Sequence, residues 1–330
     1  MIYRYVPLLK AKAGEITALD NLTASHRARI LPVVHIGETL SPNFGKKLSA
    51  AWGGQPLAID GSFNHGHTGS TASFVNLIQA LRSDGTPTMP SVNPSDPAAY
   101  VAAVGVLKNP QGLVMKSSLA TLASSYGWIG QQGWSPQEID LVIDLKHVAA
   151  IDPQTFSGYV LSVLHQGAQA LSLFRSVTLA SAAAPKDHGS LAYGPNRVPR
   201  TDWQLWQSTY QLSPVKLDYG DYCTGHPDLT EPPGAAMANA TVSARYTLDT
   251  DWLVIKGRST GGVHGQPMAV QYASHATTIS TDPNFGGIPS CWADGRVQHA
   301  ASGGQGMGSR QKWAEIAANR HISLVADRLP

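Results

Sequence analysis

The sequence predicts an α/β protein folded as a (β/α)8 barrel with an elaborated C-terminal cover. Three observations predict it. Short apolar, β-branched runs recur along the first two thirds of the chain, and most are followed by a segment with helical periodicity. Several of these runs are nearly continuous apolar stretches rather than alternating ones, as parallel strands covered on both faces are. Their count reaches eight before the pattern changes, which is the number that closes a barrel. An open doubly wound sheet shares the alternation and is the competing architecture.

The strand-like runs lie at 5–9, 30–36, 56–59, 86–92, 113–117, 140–145, 176–179 and 214–217, with helices expected at 14–24, 42–52, 70–82, 97–108, 119–132, 153–174 and 201–211. Phe74, Leu77, Ile78 and Leu81 share one helical face, and so do Leu161, Leu164, Ala168 and Leu171. Asp96-Pro97 and Asp152-Pro153 each place an N-cap before a proline at the first helical position, and Thr201 caps the segment carrying Trp203 and Trp206. After Tyr222 the alternation stops. Residues 231–234 (Glu-Pro-Pro-Gly) read as a loop, and 244–247 with 252–256 as a hairpin turning at Asp249-Thr250-Asp251. A Gly-rich stretch (259–265), a helix at 267–275, a loop-rich 288–308, a helix at 310–319 and a last strand at 322–325 complete the chain. With no long polar linker, the expected division is a barrel body over 1–222 and an elaboration over 223–330 packed on it.

Composition narrows the function classes. Lys and Arg outnumber Asp and Glu by only two (24 against 22), which argues against nonspecific nucleic-acid binding. Two distant cysteines, Cys223 and Cys291, make no disulfide framework and read as reduced thiols. The N-terminus lacks the apolar core of a signal peptide, and no run approaches the ~18–20 apolar residues of a membrane helix. The expectation is a cytoplasmic protein without a membrane partner.

In a (β/α)8 barrel, chemistry gathers at the C-terminal ends of the strands. Those ends carry Lys10 and Lys12, His35 with Glu38, Asp60, Asn93, Lys116, Asp144 with Lys146 and His147, Lys186, and Asp218 with Asp221. They are expected to converge in one mixed-charge pocket. Asp60, Asp144, Asp218 and Asp221 are the candidate acids or metal ligands. Asp144 reads equally as a salt-bridge partner of Lys116 or Lys146. Asp218 and Asp221 cannot face one way on a regular strand, so either Gly220 bends it or one of the two caps a turn. Lys10, Lys12 and Lys116 are candidate phosphate contacts, as are Lys256 and Arg258 from the hairpin. Tyr219, Tyr222 and Arg245 are further candidate ligand contacts. His321 is a candidate base or phosphate contact, or a residue that complements a helix dipole. His65-Gly66-His67 reads as a loop able to hold a transition metal, though no third and fourth ligand stand out. No Gly-x-x-x-x-Gly-Lys-Ser/Thr loop, His-Glu-x-x-His helix or Cys-x-x-Cys pair occurs.

Several stretches in series carry a family resemblance. They are Tyr5-Val6-Pro7-Leu8-Leu9-Lys10 with Lys12, Gly14-Glu15 and Ala18-Leu19; Asp140-Leu141-Val142-Ile143-Asp144; Trp206; Tyr219-Gly220-Asp221-Tyr222; Ala244-Arg245-Tyr246-Thr247 with Trp252 and Lys256-Gly257; and Trp313 with His321-Ile322 and Val325. In this order they resemble the beta protein family of bacterial and phage proteins, which is named without a defined activity. Three positions depart from its pattern: His35 stands where an acid is expected, Lys116 where an arginine is, and Arg320-His321 replaces a histidine pair. The resemblance implies a role in phage–host conflict.

Together these readings predict a strand-end pocket for an anionic small molecule such as a nucleotide. Phosphoryl or hydrolytic chemistry there would use acid–base groups or a divalent metal. A non-catalytic module binding a protein partner or nucleic acid is the alternative, and a sensor that binds a nucleotide without turnover is a third reading.

Overall fold

The structure, a computed structural model, describes residues 4–230, 241–288 and 290–330. The loop expected at 231–234 lies outside the described residues. Eight parallel strands close into a barrel: β1 (Tyr5–Lys10), β2 (Val33–His35), β3 (Leu57–Asp60), β4 (Thr88–Val92), β5 (Leu113–Ser117), β6 (Ile139–His147), β7 (Ser176–Ala182) and, as the eighth, β9 (Leu217–Asp221). β9 pairs with both β7 and β1, which leaves no free edge. The barrel is therefore closed, and the open doubly wound alternative is overturned.

The strand skipped in that count, β8 (Gly194–Pro199), leaves the barrel and pairs antiparallel with β11 (Asp251–Lys256), which in turn pairs with β10 (Ser243–Thr247). The hairpin read from the sequence is thus present, but its sheet takes a third strand from a segment that precedes the barrel's last strand.

Helices cover the barrel: α1 (Ala13–Asp20), α2 (Ala24–Arg27), α3 (Phe44–Trp52), α4 (Ser62–Thr68), α5 (Ala72–Ser83), α6 (Ala98–Leu107), α7 (Leu122–Gln131), α8 (Pro153–Gln166), α9 (Ala168–Leu171) and α10 (Thr201–Tyr210); all lie in expected places except the short α2 and α4, which the sequence pattern did not indicate. Asp152 caps α8 as its spacing predicts, accepting from the Thr155 amide at 2.7 Å, with Pro153 following. Asp96 does not cap α6, whose N-cap is Pro97; its carboxylate accepts from the Asn93 amide instead.

Side-chain alternation along the strands sorts the core into two layers. Val6, Leu8, Val33, Ala58, Met89, Val114, Val142 and Ala180 pack inside the barrel, while Tyr5, Leu9, Val34, Ile59, Met115, Ile143 and Tyr219 pack outward against the helices. β9 keeps a regular register with β7 from Leu217 to Asp221. Gly220 is therefore no bulge. A Cβ there would lie 2.9 Å from both Ala180 Cβ and Thr178 Cγ2, so glycine serves close packing of the barrel interior.

The C-terminal part departs most from expectation. The loop-rich 288–308 contains α12 (Trp292–Ala301), which packs beside α11 (Met268–Ser280). The strand expected at 322–325 is the end of one long helix, α13 (Arg310–Arg328), capped by Ser309. Ile322, Leu324 and Val325 suggested a strand because a helix buried on nearly every side shows no clean apolar stripe. α13 wedges between the cap sheet and the barrel, and packs closely on α1, where a Cβ on Gly14 would sit 3.1 Å from Ala314 Cβ. Among the described residues no helix is long and apolar enough to cross a membrane, and both cysteines are free.

Candidate active site at the barrel mouth

At the C-terminal ends of the strands, inward-facing side chains build a compact polar cluster. β3 delivers Asp60, β5 Lys116, β2 His35 and β6 Asp144, and Tyr222 follows β9. The Lys116 ammonium lies 2.5 Å from Asp60 Oδ2 and 3.0 Å from His35 Nε2. Since Nε2 takes the lysine's proton, His35 carries its own hydrogen on Nδ1, which donates to the Leu9 carbonyl at 3.2 Å. Burial, reinforced by the Lys116 charge, holds the His35 imidazole down to about 3, so it is neutral. Burial alone would raise the Asp60 carboxyl. The Lys116 charge and the hydroxyls of Ser62 (2.7 Å) and Ser91 (3.1 Å) outweigh it and hold Asp60 well below the usual carboxylate range.

The second half of the cluster hangs on one backbone irregularity. The pairing of β6 with β7 shifts register between Asp144 and His147, and Lys146 there adopts left-handed backbone with φ 58°. A residue other than glycine in that region is costly, about 1–3 kcal/mol, and persists where surroundings enforce it. The Lys146 amide donates to Asp144 Oδ1 at 3.0 Å, closing a turn that folds the side chain back over the barrel. Its ammonium then sits 2.7 Å from Asp144 Oδ2 and 3.1 Å from the Tyr222 hydroxyl, which itself donates to Asp144 Oδ2 at 2.6 Å. Burial raises Asp144, but Lys146 and Lys116 together bring it below its ordinary value. Tyr222 is pushed well up by burial and by Asp144, so it is a phenol and a proton donor. Lys146 is 61% exposed while Asp144 is 4% exposed, so the ammonium faces the opening and the carboxylate lies beneath it.

A cavity of about 350 Å³ opens here, lined by His35, Ser62, Asp96, Lys116, Lys146 and Tyr222 and roofed by Pro227, Asp228 and Leu229. Lys10 reaches the roof, donating to the Asp228 carbonyl at 2.7 Å. Asp96 is pushed up to about 6 by burial and by the Asp60 charge. Three members of this cluster were given no catalytic or binding role: His35 and Lys146, named only among the groups at the strand ends, the latter with a backbone conformation that leaves no mark in sequence; and Asp96, taken for a helix cap.

The remaining candidates lie elsewhere. Asp218 faces inward but at the opposite, N-terminal end of the barrel, two residues below Gly220. It accepts from the Arg4 amide at 3.0 Å and pairs with Lys216 at 2.7 Å, beside Asp140 held by Arg4 and Arg175. In a (β/α)8 barrel that face serves stability. Asp221 and Tyr219 point outward from β9 into the layer beneath α13, as period two requires. Asp221 accepts from Tyr5 Oη (2.5 Å), the Cys223 amide (2.8 Å) and His321 Nε2 (2.7 Å). His321 Nδ1 lies 3.1 Å from Thr247 Oγ1, so this histidine joins barrel, helix and cap sheet. Asp221 and His321 are both fully buried, which removes them from the solvent-facing site. Lys12 lies beyond the end of β1, as the N-cap residue of α1, and does not share the Lys10 position at the mouth.

His65 and His67 lie on a helix, not a loop; His65 is buried and packs against Tyr100, whereas His67 is exposed. Among the described residues no group of three His, Cys, Asp or Glu side chains is placed to hold a metal ion. At the mouth, lysine ammoniums lie where a cation on Asp60 or Asp144 would sit. The donor set therefore does not fit a divalent metal.

Behind β9 the outward layer contains an uneven charge. Asp202 Oδ2 accepts from Tyr219 Oη at 3.2 Å, while Oδ1 has no hydrogen-bond partner. Burial and the Asp221 charge outweigh Arg200 and push Asp202 up to about 7. A carboxyl raised in the folded state contributes stability that is fully present below its unfolded value near 4 and is lost as pH rises through about 7. Asp202→Asn is therefore expected to gain on the parent as pH rises across that window. Melting temperatures of both proteins at pH 5 and pH 8 check this; a constant difference would refute it.

Arg245, Lys256 and Arg258 do not line the barrel-mouth cavity. Arg245 and Lys256 line a second, larger cavity beside the cap sheet, and the exposed Arg258 lies with Lys256 over the Tyr193 ring.

Comparison with known proteins adds one assignment. Among solved structures, a tryptophan synthase from Mycobacterium tuberculosis is similar at 8% identity and TM-score 0.28, over 67% of this chain and 83% of that one. A triosephosphate isomerase from Bartonella henselae is similar at 10% identity and TM-score 0.27, over 67% and 93%. No curated protein matches. A family model described as Beta protein matches residues 5–327, nearly the whole chain. The chain belongs to the Beta protein family.

Proposed function

We propose that the barrel mouth binds a small anionic molecule, such as a nucleotide, and performs phosphoryl or hydrolytic chemistry on it, in the service of phage–host conflict. The observation that carries this reading is Lys146: a strained residue held so that its exposed ammonium caps a buried carboxylate–phenol pair. Strain maintained at a residue lining a cavity serves binding better than it serves stability. The conflict setting rests on the family, and the chemistry rests on the following physics.

In the ligand-free site every lysine is engaged: Lys116 with Asp60, Lys146 with Asp144. An incoming anion competes for the exposed Lys146, not for the buried Lys116. As Lys146 turns to the anion, Asp144 loses the charge that most depresses its pKa, and burial then raises it. Asp144 thereby becomes a stronger base at the moment of binding, able to take a proton from water or a ligand hydroxyl. Tyr222, a phenol with a raised pKa, is placed to donate its proton to a departing oxygen.

Thermal shift against a panel of nucleoside mono-, di- and triphosphates tests the reading, using the parent, Lys146→Asn and Asp144→Asn. Asparagine tolerates left-handed backbone, so Lys146→Asn removes the charge without adding strain. The expected result is a stabilising ligand for the parent, at least about tenfold weaker binding by Lys146→Asn, and binding without product for Asp144→Asn. A panel in which no ligand shifts the parent more than it shifts Lys146→Asn overturns the site. A ligand left chemically unchanged by the parent favours the non-catalytic reading, and unaltered phage plaquing on cells expressing the protein overturns the biological role.

A further inference from the structure

The second cavity differs in kind from the barrel mouth. It measures about 650 Å³, within the range of small-molecule sites. At the mouth, each lysine that lines the cavity is paired with a carboxylate. Here the two central cations have only neutral partners. Arg245 donates to the Thr224 carbonyl, to the Pro185 carbonyl at 3.2 Å and to His188 Nε2 at 3.0 Å. Lys256 donates to the carbonyls of Gly189 (3.0 Å) and Leu191 (2.8 Å). Among the described residues, no carboxylate forms an ion pair with either. Burial brings the Arg245 guanidinium down to about 10, the direction expected when no anion compensates its desolvation. Burial, and the Arg245 charge, hold His188 down to about 4, so it is neutral and accepts the arginine's proton.

Buried aromatic side chains and two alanines also line this cavity. Tyr272 and Trp313 stack at 5.0 Å with 10° between their planes, and Ala314 and Ala317 extend the surface along α13. Arg310, at the start of that helix, supplies a third cation on the rim. Cations and an aromatic pair lining one cavity suit a ligand with a doubly charged group at one end and a planar ring at the other.

We infer that the cavity between the cap sheet and the start of α13 is a second binding site, separate from the barrel mouth, for a phosphate monoester carrying a planar ring, a mononucleotide in chemical class. Arg245 and Lys256 hold the phosphate and the Tyr272–Trp313 pair takes the ring. The two cavities share a partition, the segment after β9: Thr224 lines one, while Pro227, Asp228 and Leu229 line the other. The inference does not rest on the reading of the barrel mouth.

Isothermal titration of the full chain with adenosine 5′-monophosphate, and separately with adenosine, tests it. The nucleotide is expected to bind at least about tenfold more tightly than the nucleoside, with affinity falling as salt is raised. Arg245→Met and Lys256→Met should each weaken nucleotide binding by at least about tenfold. Arg245 also holds two loop carbonyls, so Lys256→Met carries the test should Arg245→Met fail to fold. Absence of nucleotide binding, equal affinity for adenosine, or full affinity in Lys256→Met overturns the inference. Binding lost in Lys146→Asn and kept in Lys256→Met also overturns it, and assigns the nucleotide to the barrel mouth.

Discussion

Asp221→Ala is expected to destabilise the fold by about 3–5 kcal/mol, among the largest effects of any single substitution in the chain. The carboxylate is fully buried and receives hydrogen bonds from Tyr5, Cys223 and His321 at 2.5–2.8 Å. Alanine leaves three buried donors without an acceptor, each at a cost of about 1–3 kcal/mol, partly recovered by relaxation. Burial opposes ionisation of Asp221, and its hydrogen bonds from His321 and Tyr5 outweigh that and lower its pKa. A depressed carboxylate contributes stability that is present above its unfolded pKa near 4 and lost as pH falls through the lower folded value. The difference between parent and Asp221→Ala should therefore hold at neutral pH and shrink only in strong acid. Chemical denaturation at pH 7 and pH 3 measures both. Ligand binding by whatever fraction remains folded should be unaffected; a folded Asp221→Ala protein that loses binding would return this residue to the functional site.

Lys116→Met should cost a similar about 3–5 kcal/mol, for a different reason. Removing the ammonium leaves Asp60 ionised at depth, supported only by Ser62 and Ser91. Burial, now unopposed, would raise the Asp60 carboxyl, so the variant loses stability as pH rises while the parent keeps it. The gap between them is thus widest at neutral pH and narrows toward the unfolded Asp60 value near 4. Lys116→Met combined with Asp60→Asn should recover most of the loss, because neither buried charge then lacks a partner. Denaturant midpoints of the single and double variants across pH 4–8 decide it. A gap that does not change with pH would mean that the Lys116–Asp60 pair is not what the substitution breaks.

Much of the barrel was legible from local pattern. Strands such as 113–117 and 140–145 each carry an unbroken apolar stretch, 113–115 and 141–143, because both faces are buried, and Asp152-Pro153 marks the start of α8 through cap chemistry that acts within four residues. The pattern failed where burial surrounds an element. α13 hides its helical period and its end resembles a strand. β8 was missed since Gly194, Pro195 and Pro199 are poor strand formers; its pairing with β11 supplies the order its composition lacks.

The site divides the same way. That Asp60, Lys116 and Asp144 end their strands is a property of strand length and alternation, and the barrel brings such ends together wherever they lie in the chain. Asp218 and Asp221 stand three residues apart, and their separation follows from the regular register of β9: one faces the floor of the barrel and the other the back of the wall. The choice between a Gly220 bend and a straight strand was settled by Thr178 and Ala180 across the sheet, contacts that no local pattern encodes. Composition, alternation and capping act over a few residues, so they were sufficient to specify a (β/α)8 body and to name most of its strand-end charges. Which charges share a cavity depends on groups far apart in sequence, such as Lys116 with His35, Lys146 with Tyr222, and Arg245 with His188. Those pairings arise from desolvation and hydrogen bonding between elements, and both exist only once the elements have packed.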